Sequence, residues 1–179
     1  MIEVTEEEIA ARELRSAAYH EAGHKVLYEH FGGAGDAIVW RNDSGDPEER
    51  AWFGQFRTRV CPGQMRDVAL RHGLPIRELP ANWRVLSGMA GLLAEAILQL
   101  GADDVHALTE DIHYRIAAGE ASNSDLAMMG ISDIDDFELS FEVVGVATQI
   151  LREAWGKLRE EAEHLMELAI GHPEAEGCG

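Results

Sequence analysis

The sequence predicts an α+β fold that is mostly α-helical, with one small β-hairpin and a long C-terminal helix. Three patterns support this prediction. Residues 5–31 carry apolar and histidine side chains at steps of three and four and contain no proline, as expected of one long helix. Segments 36–41 and 51–60 are rich in β-branched and aromatic residues and flank a turn-forming stretch. Residues 137–170 alternate apolar steps of four and three, which is typical of a helix in a coiled-coil-like seam.

The first helix has a clear start, because Thr5 is a suitable N-cap and Glu8 completes a capping box three residues later. Gly23 inside this helix costs about 1 kcal/mol relative to alanine, which predicts that another backbone or a ligand approaches closely there. One face combines apolar residues with two histidines and should point inward: Ala17, His20, His24, Leu27 and Phe31.

The segment His20-Glu21-Ala22-Gly23-His24 has the H-E-x-x-H arrangement. Two histidines four residues apart on a helix project from one face and can hold a single metal ion, with the glutamate between them beside that ion. In this chemistry zinc is the usual metal, although a His/His/carboxylate set also holds iron, and Glu21 is the general base. The alternative is that His20 and His24 are core or boundary residues satisfied by hydrogen bonds.

The predicted hairpin follows a glycine-rich break at 32–35. In zinc peptidases an edge strand beside the metal-binding helix commonly holds the substrate backbone extended. The hairpin therefore either binds substrate in this way or only covers the core.

Residues 65–72 predict a short helix, 74–80 a linker and 83–100 a central buried helix that is apolar around most of its circumference. Glu95 on this helix is either an ordinary exposed residue or a carboxylate that orients a ligating histidine. It shares one narrow stripe with Arg84, Ser87, Gly91 and Gln99.

A third ligand is harder to choose. Ser122 begins a good helix start, and Asp125 would be its third helical residue, where an acid favours the positive end of the helix dipole. Asp111 and His113 are two residues apart and would diverge on a helix. The spacing alone leaves open Asp125 and four competitors in the preceding polar stretch: Asp103, Asp104, Asp111 and His113.

The C-terminal pattern over 137–170 would span about 50 Å as one helix. It would either pair with a second subunit in a homo-oligomer or pack on the chain's own helices, with Gly145 or Gly156 allowing a bend. Residues 171–179 are predicted to form a flexible tail.

The composition suits one domain over residues 1–170 of the 179. A net charge of -18 argues against nucleic acid and anionic membrane surfaces as partners. The two cysteines are too few and too scattered for a disulfide framework, and no secretory signal is recognisable, so we expect a cytoplasmic protein.

Three segments resemble the peptidase domain of the FtsH-type membrane AAA zinc metalloproteases. Residues 17–24 resemble its A-x-H-E-A-G-H helix, although Lys25 replaces the usual alanine. Residues 88–96 resemble its L-x-G-R-A-A-E-E segment without the arginine and the second glutamate. Residues 119–126 resemble its G-A-x-N-D-[LI] segment, whose aspartate is the third zinc ligand.

The resemblance implies a zincin-like domain in which His20, His24 and Asp125 hold Zn²⁺ and Glu21 is the catalytic base. It further implies a stand-alone relative, because neither lysine, Lys25 or Lys157, lies in the G-x-x-x-x-G-K-[ST] loop that binds ATP, and no apolar run is long enough for a membrane helix. The expected function is a zinc-dependent, ATP-independent metallopeptidase acting on peptides or unfolded proteins.

Two alternatives stay open. The chain could be a non-catalytic binding module that keeps the peptidase fold and acts through its hairpin or C-terminal helix. It could also be a metal-dependent amide hydrolase acting on something other than protein, since the same residues would serve.

Overall fold

The computed structural model describes residues 5–46, 48–76 and 78–171. Within them the predicted fold class is confirmed: mostly helical, with one antiparallel hairpin and a long C-terminal helix. The elements in chain order are α1 (Glu6–His30), β1 (Ala34–Arg41), β2 (Trp52–Val60), α2 (Pro62–Arg71), α3 (Trp83–Leu100), α4 (Val105–Ala117), α5 (Asn123–Met129), α6 (Phe141–Glu153) and α7 (Trp155–Gly171).

The start of α1 is as predicted. Thr5 Oγ1 accepts a hydrogen bond from the Glu8 backbone N–H at 3.2 Å, and the Glu8 carboxylate accepts from the Thr5 backbone N–H at 2.9 Å. The close approach expected at Gly23 is also confirmed, since a Cβ there would lie 2.6 Å from the Ala90 carbonyl oxygen. Gly23 therefore lets α1 and α3 pack closely at the centre of the core.

The hairpin lies against α1, with Val39 facing the core and the cross-strand pair Trp40 and Phe53 facing outward. Strand β1 begins two residues before the predicted start at 36. Gly35 makes this possible, because the Phe56 ring lies against its backbone, where a Cβ would be 2.5 Å from the ring.

Helix α2 begins three residues before the predicted start at 65. Pro62 takes the first helical position, where its missing N–H is not needed. Helix α3 has the predicted bounds, and in the predicted linker at 74–80 the described residues form neither helix nor strand.

The prediction of one continuous helix over 137–170 is wrong. The chain breaks at Ala154 (φ -96°, ψ 10°), and Phe137 precedes the first turn of α6. The bend lets both pieces cover the core, α6 on α3 and α4 and α7 on α1 and β1. Gly145 and Gly156, the positions expected to allow a bend, both lie inside helices. The seam side chains are buried within the chain: Val144, Thr148, Leu151, Leu158, Ala162 and Leu165.

Of the two expectations for these residues, packing on the chain's own helices is therefore correct. A homo-oligomer through 137–170 stays a prediction, and the apolar side chains expected to form its interface are buried within the chain. Residues 172–179 of the predicted tail lie outside the described residues. Over the described ranges, no helix combines the length and the apolar character that a membrane span requires.

Candidate metal centre

Helix α1 places His20 and His24 one turn apart, with their Nε2 atoms 3.1 Å from each other. Asp125, in the first turn of α5, lies against both. Its Oδ1 is 3.3 Å from His24 Nε2, and its Oδ2 is 3.7 Å from His20 Nε2. The three side chains thus converge on one point, although more than a hundred positions separate Asp125 from the histidines.

The three distances fit a metal ion. Zn²⁺ binds histidine nitrogen and carboxylate oxygen at about 2.0–2.2 Å in tetrahedral geometry, which places neighbouring ligand atoms about 3.3 Å apart. In the described part of the chain, His20, His24 and Asp125 are the one group of three potential ligands that comes together in this way. The donor set suits zinc and also non-haem iron.

The outer nitrogens of both histidines are held by acceptors. His24 Nδ1 lies 2.9 Å from the carbonyl oxygen of Ser87, which can only accept, so Nδ1 carries the hydrogen. His20 Nδ1 lies 2.6 Å from Glu95 Oε1. These contacts leave each Nε2 facing the shared point, which is the arrangement that metal-ligating histidines usually show.

Glu95 is 3% exposed, so the alternative that it is an ordinary exposed residue is wrong. Its second oxygen accepts hydrogen bonds from Ser16 Oγ and, at 2.9 Å, from Arg115, which also donates to Glu120 at 2.7 Å. Burial alone would raise the pKa of Glu95, but the contacts with His20 and Arg115 lower it to about 2. Glu95 is therefore a fixed negative charge behind His20.

The carboxylates of Glu95 and Asp125 favour a positive charge at the site. Burial disfavours the charged imidazolium of His20, yet hydrogen bonds to Asp125 and Glu95 outweigh it and raise the pKa to about 10. Burial likewise opposes the Asp125 carboxylate, but its bonds to His20 and His24 hold its pKa well below the usual range. Without a metal, a proton on His20 supplies the charge that the two carboxylates require.

Asp125 occupies the third position of α5, as predicted, but it is not the helix cap. Ser122 Oγ is the cap, because it accepts from the Asp125 backbone N–H at 3.1 Å. The same hydroxyl donates to Asp125 Oδ2 at 2.7 Å and so steadies the carboxylate. Gly88 lets α5 approach α3, since a Cβ there would lie 2.8 Å from the Asp125 carbonyl oxygen.

The four competing candidates lie elsewhere. Asp103 is exposed, and Asp104 caps α4 by accepting from the Ala107 backbone N–H at 3.0 Å. Asp111 lines a separate cavity, and the His113 ring stacks on Phe137 with centroids 4.5 Å apart. The structure therefore brings Asp125, and none of these four, to the histidines.

Glu21 is buried beside strand β2. Gly54 provides the space, because a Cβ there would lie 2.5 Å from Glu21 Cγ and Oε1. Two residues along β2, the Phe56 ring faces His24 at a centroid distance of 6.3 Å. Burial raises the pKa of Glu21, and the nearby histidines oppose the rise. A carboxylate with a raised pKa is better suited to accept a proton near neutral pH.

The sequence did not predict four groups that hold the site residues in place. The Ser87 carbonyl accepts from His24, Arg115 donates to Glu95, Ser122 donates to Asp125, and Gly91 leaves space for the imidazoles. Ser87 and Gly91 lie on the α3 stripe that contains Glu95, so the stripe was a usable signal for them. Gly91 leaves room for the imidazoles, since a Cβ there would lie 2.5 Å from His24 Nε2. We find no sequence signal that singles out Arg115.

A cavity of about 440 Å³ adjoins the centre on the Glu95 side, and we call it the side cavity. It lies between α1, the start of β2, α3 and α4. Its lining residues are Arg12, Glu13, Ser16, Ala17, Arg50, Trp52, Glu95, Gln99, Asp111, Tyr114, Arg115 and Glu120.

Fold and site together define a mostly helical domain with a candidate His/His/Asp metal centre on its first helix. No protein-family model matches the chain, and no curated protein matches it. Membership of the FtsH-type peptidase family therefore stays a prediction, based on the resemblance of residues 17–24, 88–96 and 119–126.

Proposed function

We propose that this protein is a zinc-dependent metallopeptidase that cleaves peptides and unfolded or flexible proteins without ATP. The observation that supports it best is the orientation of the two imidazoles. Both Nδ1 atoms are engaged by acceptors, and the two Nε2 atoms lie 3.1 Å from each other and 3.3 and 3.7 Å from the Asp125 carboxylate. This geometry suits a tetrahedral ion with one position open to water and substrate.

The residues have distinct parts in this proposal. His20, His24 and Asp125 would hold Zn²⁺, which when bound supplies a Lewis acid for the scissile carbonyl. Glu21 takes a proton from the attacking water as the new carbon–oxygen bond forms. It then gives that proton to the leaving amine as the carbon–nitrogen bond breaks. Glu95 and the Ser87 carbonyl keep the two imidazoles oriented.

The substrate class follows from the lack of a phosphate-binding loop in the sequence. A folded domain is typically stable by 5 to 15 kcal/mol, so its open form is rare unless a motor unfolds it. We therefore propose unfolded or flexible chains as substrates. A cytoplasmic location, suggested by only two cysteines in 179 residues, belongs to the same proposal.

Glu21→Gln tests the proposal, because it keeps the shape of the side chain and removes the base. Zinc content should be unchanged, and hydrolysis of casein should fall by about 10²–10⁴-fold. Glu7→Gln, an exposed change on the same helix, should leave hydrolysis unchanged. Equal turnover of the Glu21→Gln variant and the wild type would assign Glu21 a structural role and overturn the proposed mechanism.

The outer face of the hairpin favours one other candidate, a non-catalytic binding module. Ile38, Trp40 and Phe53 are 41%, 43% and 39% exposed there and form an apolar patch suited to a partner. Under this alternative, zinc-loaded wild-type protein would cleave neither casein nor any member of a flexible peptide library.

A further inference from the structure

The side cavity begins one helical turn from the proposed catalytic residues. Ser16 on its wall precedes His20 by four positions, and Trp52 precedes Gly54, the residue that contacts Glu21, by two. Glu95 is common to both places, since it lines the cavity and holds His20 Nδ1 at 2.6 Å. A peptide lying along β2 at the metal centre can therefore place a neighbouring side chain in this cavity.

One residue of the cavity lining, Asp111, has a carboxylate oxygen without a hydrogen-bond partner among the described residues. This atom, Oδ2, is buried. Buried polar atoms without partners are rare in folded proteins and demand an explanation, such as an unseen ligand. A carboxylate accepts hydrogen bonds, so a group that pairs with Asp111 from the cavity is a donor. Because Oδ2 itself is covered, the carboxylate turns towards the cavity when that donor binds.

The charges around Asp111 favour a cationic donor. The Arg115 charge also acts on Asp111, but Arg115 pairs directly with Glu95 at 2.9 Å and with Glu120 at 2.7 Å. The other two arginines of the lining, Arg12 and Arg50, are exposed, so water and salt screen their charges.

The lining also includes two aromatic residues, Trp52 and Tyr114. Aromatic rings can accommodate the stem and charge of a long basic side chain. The net charge of -18 also attracts basic chains to the protein.

We propose that the side cavity is a specificity pocket that takes a basic side chain, arginine or lysine, of the substrate next to the scissile bond, with Asp111 as its counter-charge. This inference rests on the proposed peptidase function for its biological role. The recognition itself requires no hydrolysis and can be measured separately.

The experiment uses flexible peptides identical except for arginine, lysine, norleucine or glutamate at each position near the cleavage site. Binding is measured by calorimetry on zinc-loaded Glu21→Gln protein, and hydrolysis on the wild type. We expect the best arginine or lysine peptide to bind about tenfold more tightly than its norleucine counterpart, which corresponds to one hydrogen bond to a charged group. Asp111→Asn should remove this difference without changing zinc content or the binding of the norleucine peptide.

Glu110→Gln is the matched control, because Glu110 neighbours Asp111 on α4 but points into solvent with 72% of its side chain exposed. It should keep the preference. Equal binding of basic and norleucine peptides, or an unchanged preference in Asp111→Asn, would overturn the pocket while leaving the proposed peptidase function intact. Preferential binding that Asp111→Asn abolishes, with no peptide cleaved by the wild type, would uphold the pocket and overturn the peptidase function.

Discussion

Nδ1 of His20 lies 2.6 Å from Oε1 of Glu95, and this contact joins α1 to α3 across 75 positions of sequence. It fixes which nitrogen of His20 faces Asp125, and Arg115 keeps the same carboxylate charged from the other side at 2.9 Å. The candidate metal centre therefore depends on the packing of α1 against α3 as well as on the histidine motif itself.

Glu95→Gln should lower zinc affinity by about 10–100-fold, the usual effect of removing a carboxylate that orients a ligating histidine. The amide keeps the shape but loses the charge that faces His20 and Arg115. Competition with a chelating dye measures the affinity, and Glu110→Gln on exposed α4 surface serves as the control. An affinity equal to that of the wild type would mean that the contact organises the core and not the metal.

Asp125→Ala should weaken zinc binding more than Glu95→Gln does, because it removes a proposed ligand. Elemental analysis should find one zinc per chain in the wild type and much less in Asp125→Ala, His20→Ala and His24→Ala. Asp104→Ala is the informative comparison, since Asp104 caps α4. That change should cost about 1 kcal/mol of stability and leave zinc content unchanged. If Asp125→Ala behaves like Asp104→Ala, Asp125 has only a local structural role.

Zinc binding should release a proton from His20 at neutral pH. The pKa of His20 in the metal-free protein is raised to about 10, and a ligating Nε2 must be unprotonated. Apparent zinc affinity should therefore rise about tenfold per pH unit between pH 7 and 9. Calorimetry in two buffers of different ionisation enthalpy counts the protons. A pH-independent affinity over this range would show that His20 is already neutral.

The stability of the metal-free protein should depend on pH in two directions. The raised pKa of His20 means that its contribution is complete below about pH 6.5 and is lost as pH rises towards about 10. The pKa of Glu95, lowered to about 2, means that its contribution is complete above about pH 4.5 and is lost as pH falls. Urea unfolding midpoints should therefore be highest near pH 5–6. A midpoint that rises from pH 6 to pH 9 would contradict this assignment.

Local signals predicted most of the fold because each depends on neighbours along the chain. The Thr5 capping box, the β-branched strands and the apolar run of α3 are of this kind. The prediction of one continuous helix over 137–170 was wrong for the same reason, because it too used only neighbours along the chain. The apolar steps stay in register across Ala154, so the pattern is the same whether the chain continues straight or bends onto the core. Only the packing of α6 and α7 on other helices decides between the two.

The site residues also fall into those that local spacing predicts and those that depend on how the helices pack. The spacing of His20 and His24 is local, and their convergence was predictable from helix geometry alone. Asp125 was singled out by resemblance, because its approach depends on how α5 packs on α3 through Gly88. The partner of His24 is a backbone carbonyl, at Ser87, and such an acceptor exists at every position and leaves no mark in the sequence.

Gly91→Ala should weaken zinc binding while the helical content is kept. The added Cβ would lie 2.5 Å from His24 Nε2 and closer still to His20 Nε2, so both imidazoles would have to move. Alanine favours a helix by about 1 kcal/mol over glycine, which should offset part of the strain and keep α3 intact. Gly145→Ala in α6 is the matched control, because its Cβ would meet only Val105 Cγ1 at an ordinary 3.8 Å. Circular dichroism and dye competition on both variants separate the two effects. Gly145→Ala should gain stability and keep zinc affinity, whereas full zinc affinity in Gly91→Ala would show that the imidazoles do not need the space that Gly91 leaves.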